Sequence, residues 1–131
     1  MNKKMSADTN ALNWFEIAVN DMERASKFYE TIFDVKLIPA EMPGAKLAMF
    51  PTNGSNGTVG GSLVQSNRHH PSSVGSIIYL NANPDLQAVL SRIEKIGAKV
   101  VMPKTRINED AGYMAFFTDS EGNTVGLHSY E

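Results

Sequence analysis

GNTVGLHS, residues Gly122 to Ser129, lies almost at the end of this chain, and NGTVGGSL, residues Asn56 to Leu63, is an imperfect echo of it near the middle. Each copy alternates as a β-strand does, yet each spends a core position on glycine, a residue that weakens strands and marks close approach of a ligand or backbone. The echo implies an internal repeat, and working outward from each copy supports one. Before the first copy, LNWFEIAV (Leu12–Val19) reads as a strand with Phe15, Ile17 and Val19 on one face and Trp14, Glu16 and Ala18 on the other. A helix should follow, capped by Asn20 with Glu23 closing a capping box, and buried along Ala25, Phe28, Tyr29 and Ile32. VKLIPAEM and AKLAMFP, split by Pro43–Gly44, read as a hairpin, and the first copy of the phrase supplies a fourth strand.

The same order recurs before the second copy. SIIYLNA is a strand, and Pro84 suits the first turn of a helix whose apolar stripe is Leu86, Val89, Leu90, Ile93 and Ile96, ended by Gly97. KVVMPKTRI, YMAFFTD and NTVGLHS complete three more strands. Aligning Val19 with Ala82 sets Trp14 against Ile77, Glu16 against Tyr79 and Ala18 against Asn81; aligning Val59 with Val125 sets Gly60 against Gly126. The expected fold is therefore α+β: two βαβββ modules in tandem, curling into an eight-stranded cup with the helices outside. Residues 1–10 are expected to be a loose tail before a single domain over 11–129. Module one covers about 11–66, a polar linker 67–74, and module two about 75–129.

Composition narrows the function. The chain has 131 residues, enough for one real core, and a formal net charge of −2, so no basic field draws it to nucleic acid. No apolar run approaches the roughly eighteen residues a membrane helix needs, and nothing resembles a signal peptide. With no cysteine there is no disulfide, thiolate ligand or thiol nucleophile, which fits a cytoplasmic protein. No phosphate loop, nucleotide fingerprint or Ser/His/Asp motif is present.

Two stretches, FEIAVNDMERASKFYETIF (15–33) and DSEGNTVGLHS (119–129), resemble the vicinal oxygen chelate superfamily of glyoxalase I, bleomycin-resistance proteins and extradiol dioxygenases. The likeness runs from Ala11 to Ser129, and MPKTRINEDAGYMAFFTDSEGNTVGLHS (102–129) is similar to a bacterial glyoxalase-like branch. The resemblance implies a homodimer and a divalent metal in the cup, held by His, Gln or Glu from the first and last strands of each module. Those four positions fall at or next to Trp14, Gly60, Ile77 and Gly126, none of which has a ligating side chain. The expectation is accordingly a protein without metal ligands or other cofactor, binding a small hydrophobic or aromatic molecule through Trp14, Gly60, Tyr79, Asn81 and Gly126.

The alternative is a lyase or isomerase acting on a carbonyl compound, with Glu16 as general base and His128 as helper or as part of an unorthodox divalent-metal site. Glu16 points into the cup by strand alternation, and His128 shares a face with Gly126. Each also has a plainer reading, as a hydrogen-bonded strand residue. Gly60 and Gly126 equally suit close packing of strands. His69 and His70, adjacent in the linker, point apart in an extended chain and read as surface residues; Lys104 and Arg106 read as solvated charges; Asp119, Glu121 and Gly122 belong to a tight turn.

Overall fold

The computed structural model describes residues 3–54 and 56–131. Of the expected tail, Met1 and Asn2 lie outside the described residues, while residues 3–10 form only bends and turns. The chain folds as β1 (Trp14–Ala18), α1 (Met22–Phe33), β2 (Ile38–Met42), β3 (Ala45–Met49), β4 (Gly60–Ser66), β5 (Tyr79–Asn81), α2 (Gln87–Lys95), β6 (Lys99–Asn108), β7 (Gly112–Thr118) and β8 (Thr124–Ser129). This is the strand–helix–three-strand order written twice. Among the described residues the eight strands form two four-stranded sheets, β1-β4-β3-β2 and β5-β8-β7-β6, each with its first strand parallel to its last.

Alternation does what the sequence promises. On β1, Ile17 is buried and Phe15 half-buried toward the helices, while Trp14 and Glu16 are exposed on the open face. Ala25, Phe28, Tyr29 and Ile32 are all buried on α1, and Val89, Leu90 and Ile93 on α2. Ile96 is the exception: it sits at the C-cap and stays 44% exposed. Gly97 takes φ +78°, the left-handed conformation that ends a helix and that glycine adopts without strain. One core joins the modules: Ile17, Tyr29 and Leu63 pack in the same cluster as Leu90, Phe117 and Leu127. Phe28 of α1 stacks on Phe117 of β7, with ring centroids 6.0 Å apart.

Three local expectations are corrected. The cap of α1 is Asp21, whose side chain accepts the Arg24 N–H at 3.1 Å, so the Asn20–Glu23 capping box does not form. Pro84 lies in a turn ahead of α2, which begins at Gln87. The fifth strand is only Tyr79–Asn81, shorter than the SIIYLNA stretch read from the sequence.

The turn 119–123 does the work the capping box was expected to do, and it joins the modules. Its Glu121 side chain is fully buried. Oε1 accepts the backbone N–H groups of Asn20 at 2.8 Å and Asp21 at 2.9 Å, while Arg24 binds both carboxylate oxygens, at 2.7 and 2.9 Å. Burial alone would raise the Glu121 pKa. The hydrogen bonds from Arg24, from Asn20 and Asp21, and from the Ser120 hydroxyl outweigh it and hold the group at about 2, against an ordinary 4.5. Beside it, Asp119 Oδ2 accepts the buried Tyr29 hydroxyl at 2.7 Å, and Asn123 Nδ2 donates to the Ala18 carbonyl at 2.8 Å. Burial, then the Asp119 charge, push the Tyr29 phenol well above its ordinary pKa.

Because the carboxyl's pKa is lowered on folding, its contribution is complete above the unfolded value and is lost as pH falls through the folded one. The gap between 4.5 and about 2 corresponds to about 3 kcal/mol. Urea titrations should show wild-type stability falling between pH 5 and pH 2, by about this amount from Glu121. Glu121→Gln should be less stable by a similar order at pH 7 and should flatten that acid limb. An unchanged acid limb in the variant would show that the bridge does not carry it.

Candidate functional site

Register decides what the repeated glycines do. Trp14 is the Cα partner of Gly60, and Glu16 of Ser62, in the β1–β4 ladder. In the β5–β8 ladder, Gly126 is paired with Tyr79 and His128 with Asn81. The counterpart of Trp14 beside its glycine is thus Tyr79 rather than Ile77, a shift of two residues from the sequence match. A Cβ on Gly126 would lie 2.7 Å from the Tyr79 ring, inside any real contact distance. At Gly60 it would meet the Thr52 side chain at 3.0 Å. Gly61, which sequence reasoning passed over, is tighter still, since the Phe15 ring occupies the place of its side chain. At Gly61 and Gly126 glycine is required so that the Phe15 and Tyr79 rings can lie against the strands.

Those rings border a cavity of about 850 Å³ between the first strands of the two modules. Phe15, Phe33, Phe50 and Val59 contribute from one module, Ile78 and Tyr79 from the other. Of the five residues expected to bind a ligand, Gly60, Tyr79 and Asn81 line it; Trp14 and Gly126 do not. Trp14 stands 40% exposed on the open face of β1.

The two candidate acid–base residues are kept apart. Nε2 of His128 is 2.6 Å from the Ala111 carbonyl, and its ring meets Tyr130 edge to face at 4.7 Å, so its hydrogen bond and ring contact are structural. The partner of Glu16 is His69: Nε2 lies 2.8 Å from Oε1 of Glu16, and Nδ1 lies 2.6 Å from the Ser66 hydroxyl. This corrects the reading of His69 as a surface residue; its side chain is 26% exposed. Ser66, three residues earlier, was the available signal, because a serine hydroxyl that accepts the backbone N–H two residues on, here that of Arg68, closes a local turn. Beside Glu16 in the ladder, Ser62 Oγ is buried with no hydrogen-bond partner among the described residues. His70 is exposed, as is Arg106, whereas Lys104 binds Asp85 at 2.9 Å and covers the Tyr113 ring at 4.3 Å. That bond from Lys104, then the Gln87 N–H, lowers the Asp85 pKa.

The family profile described as the Glyoxalase/Bleomycin resistance protein/Dioxygenase superfamily matches residues 11–127. The chain belongs to that superfamily. A glyoxylase-like domain-containing protein of Didymella fabae is 32% identical over 119 residues, covering 88% of this chain and 91% of that protein. Two mycobacterial proteins match at 30% identity over 117 residues, and the chain spans 44% of their length. Among solved structures, a glyoxylase/bleomycin resistance protein/dioxygenase domain from Frankia sp. EAN1pec superposes with a TM-score of 0.69 at 14% identity, covering 95% of this chain and all of that one. TnmS3, an antibiotic binding protein from Streptomyces sp. CB03234, gives 0.63 at 22% identity, covering 96% and 100%.

The divalent metal that the superfamily implies does not fit the donor set. Indole, sec-butyl and hydrogen side chains occupy the aligned positions, and the Tyr79 phenol that replaces Ile77 in register lies over Gly126. Among the described residues no three His, Asp or Glu side chains cluster as a metal-binding group.

The glycine argument makes a prediction about packing. Gly126→Ala should cost about 1–3 kcal/mol through overpacking against Tyr79. Adding Tyr79→Ala should recover much of that loss, giving a clear coupling energy in a double-mutant cycle of chemical denaturation. Additive losses would mean that Gly126 is needed for backbone bending instead.

Proposed function

We propose that this superfamily member binds a compact apolar or aromatic molecule in the cavity between its modules, without the family metal. The cavity itself carries the reading: about 850 Å³, within the usual size of small-molecule sites, with aromatic and aliphatic walls drawn from both modules and a few polar groups such as Asn81. TnmS3 shows that this fold can serve binding, by its own description as an antibiotic binding protein. The expected setting is the cytoplasm, which suits a cysteine-free chain. The expected assembly is a homodimer through the open sheet faces, where Ile38 and Met42 of β2 and Val101 and Ile107 of β6 stay exposed.

A second reading has one observation in its favour. Glu16 offers a carboxylate on the open face, 44% exposed and fixed through one oxygen, which suits a general base for a lyase or isomerase acting on a carbonyl compound. His128 has no part in it.

A thermal-shift screen of flat aromatic compounds in EDTA tests the first reading. A bound compound at a hundred times its Kd should add about 2.7 kcal/mol of stability. Val59→Trp, which fills the cavity, should abolish the shift. Shifts that vanish in EDTA and return with Zn²⁺ or Ni²⁺ would overturn the metal-free reading. Sedimentation should give a dimer, converted to monomer by Ile38→Glu with Ile107→Glu.

A further inference from the structure

A chain of hydrogen bonds from the end of β8 fixes which way round the Asn81 amide sits. The backbone N–H of Tyr130 can only donate, and it lies 2.9 Å from the Asn83 side chain, so the Asn83 atom that meets it is the amide oxygen. The other end of that amide is therefore Nδ2, which donates to the Asn81 side chain at 2.9 Å. The Asn83 backbone N–H donates to the same Asn81 atom, also at 2.9 Å. An atom on which two donors converge is an acceptor, so it is Oδ1. The oxygen of Asn81 is spent on Asn83, and its Nδ2 has no hydrogen-bond partner among the described residues. Asn81 lines the cavity between the modules, and what it has left to offer a ligand there is a donor. Asn56, on the same lining, is spent in the same sense: its Oδ1 accepts the Thr58 N–H at 3.2 Å.

Charge is the second constraint. None of the described residues lining this cavity is Asp, Glu, Lys, Arg or His. Two other hollows differ: one of about 450 Å³ has Glu41 and Lys46 in its wall, and one of about 180 Å³ has Glu16 and His70. An ion drawn in against Phe15 and Phe50, whose ring centroids are 5.5 Å apart, would lose hydration with no countercharge in the wall to replace it. We infer that the cavity selects an uncharged aromatic compound bearing a carbonyl oxygen, which accepts from Asn81 Nδ2, and that Asn83 is a positioning residue for that donor. This rests on the first reading above, that the cavity binds an apolar or aromatic molecule, and names the class within it. Without Asn83 the Asn81 amide could present either end; with it, only the nitrogen is free.

Isothermal titration calorimetry of the intact protein with matched naphthalenes tests this at pH 7. The probes are 2-acetylnaphthalene, the acceptor-free 2-isopropenylnaphthalene and anionic 2-naphthoate. The ketone should bind about five-fold more tightly than the alkene, the contribution of one hydrogen bond. Naphthoate should bind at least about 100-fold more weakly than the ketone. Asn83→Asp can still accept the Tyr130 N–H but cannot donate to Asn81, so the Asn81 amide should turn its nitrogen to the new carboxylate and its oxygen to the cavity. The preference for the ketone should then vanish while the alkene keeps its affinity. Asn81→Asp, which still accepts from Asn83 but has no donor, should erase the same preference. Circular dichroism checks that both variants are folded, and Val59→Trp should abolish binding of both neutral compounds. Equal affinities for ketone and alkene in the wild type, or naphthoate bound as tightly as the ketone, would overturn this inference and leave the cavity reading standing. A ketone preference that survives Asn83→Asp would overturn the positioning role. Binding of neither neutral compound would overturn the cavity reading and this inference with it.

Discussion

A single buried carboxylate holds the two modules in their relation to each other. Glu121 belongs to a turn of the second module, yet its oxygens satisfy the backbone N–H groups of Asn20 and Asp21 at the start of the first module's helix. Those N–H groups have no partner within the helix, and the positive end of the helix dipole favours an anion there. Arg24 supplies the compensating charge from the outside, 53% exposed. Neighbouring residues of the same turn reach the Tyr29 hydroxyl, the Ala18 carbonyl and the Ser72 N–H. Five residues therefore fix β1, α1 and the connection between modules in one place. The same turn thereby ties the end of β1, the strand that carries the cavity-lining Phe15, to the second module at Ala18.

At Gly61 and Gly126, glycine leaves room for an aromatic ring against the strand. A side chain at Gly126 would collide with Tyr79, and one at Gly61 with Phe15. A strand carrying a ligating carboxylate at residue 126 would have to push that ring aside. The chain has instead filled the space with aromatic surface, and the same substitution turns the neighbouring void apolar. The placement of the Phe15 and Tyr79 rings sets both the crowding at Gly61 and Gly126 and the aromatic part of the cavity wall.

Periodicity made most of the fold legible before any coordinates. The stripe Ala25, Phe28, Tyr29, Ile32 and the alternation along β1 are local signals, and they were followed. What sequence alone missed was contact at long range. Asn20 looked like a cap because Glu23 follows at the right spacing; the carboxylate that answers its N–H lies 101 residues away. The two-residue shift between Trp14 and Tyr79 was hidden because alternation fixes faces but leaves slips of two undetermined. His128 shares a strand face with a predicted site residue, but the Ala111 carbonyl captures it. His69 was discounted because an extended chain would point it away, whereas the turn at Ser66 brings it back over β1.

Alternation on β1 also separates the two kinds of chemistry. Phe15 turns toward the apolar cavity, and Glu16, the next residue, turns to the open face near a smaller hollow of about 180 Å³ that includes Ala18, His70 and Val125. The cavity wall at Phe15 therefore leaves the Glu16 carboxylate outside it, hydrogen-bonded to His69. Burying an ionised carboxylate against an apolar ligand would be costly without further partners, so this division keeps tight apolar binding compatible with a charged group one residue away. The strand that the sequence writes as Trp-Phe-Glu-Ile thus presents an indole and a carboxylate on one side and a cavity wall and a core residue on the other. Any function that uses both sides must act through the short backbone of β1, which the second module's turn anchors at Ala18.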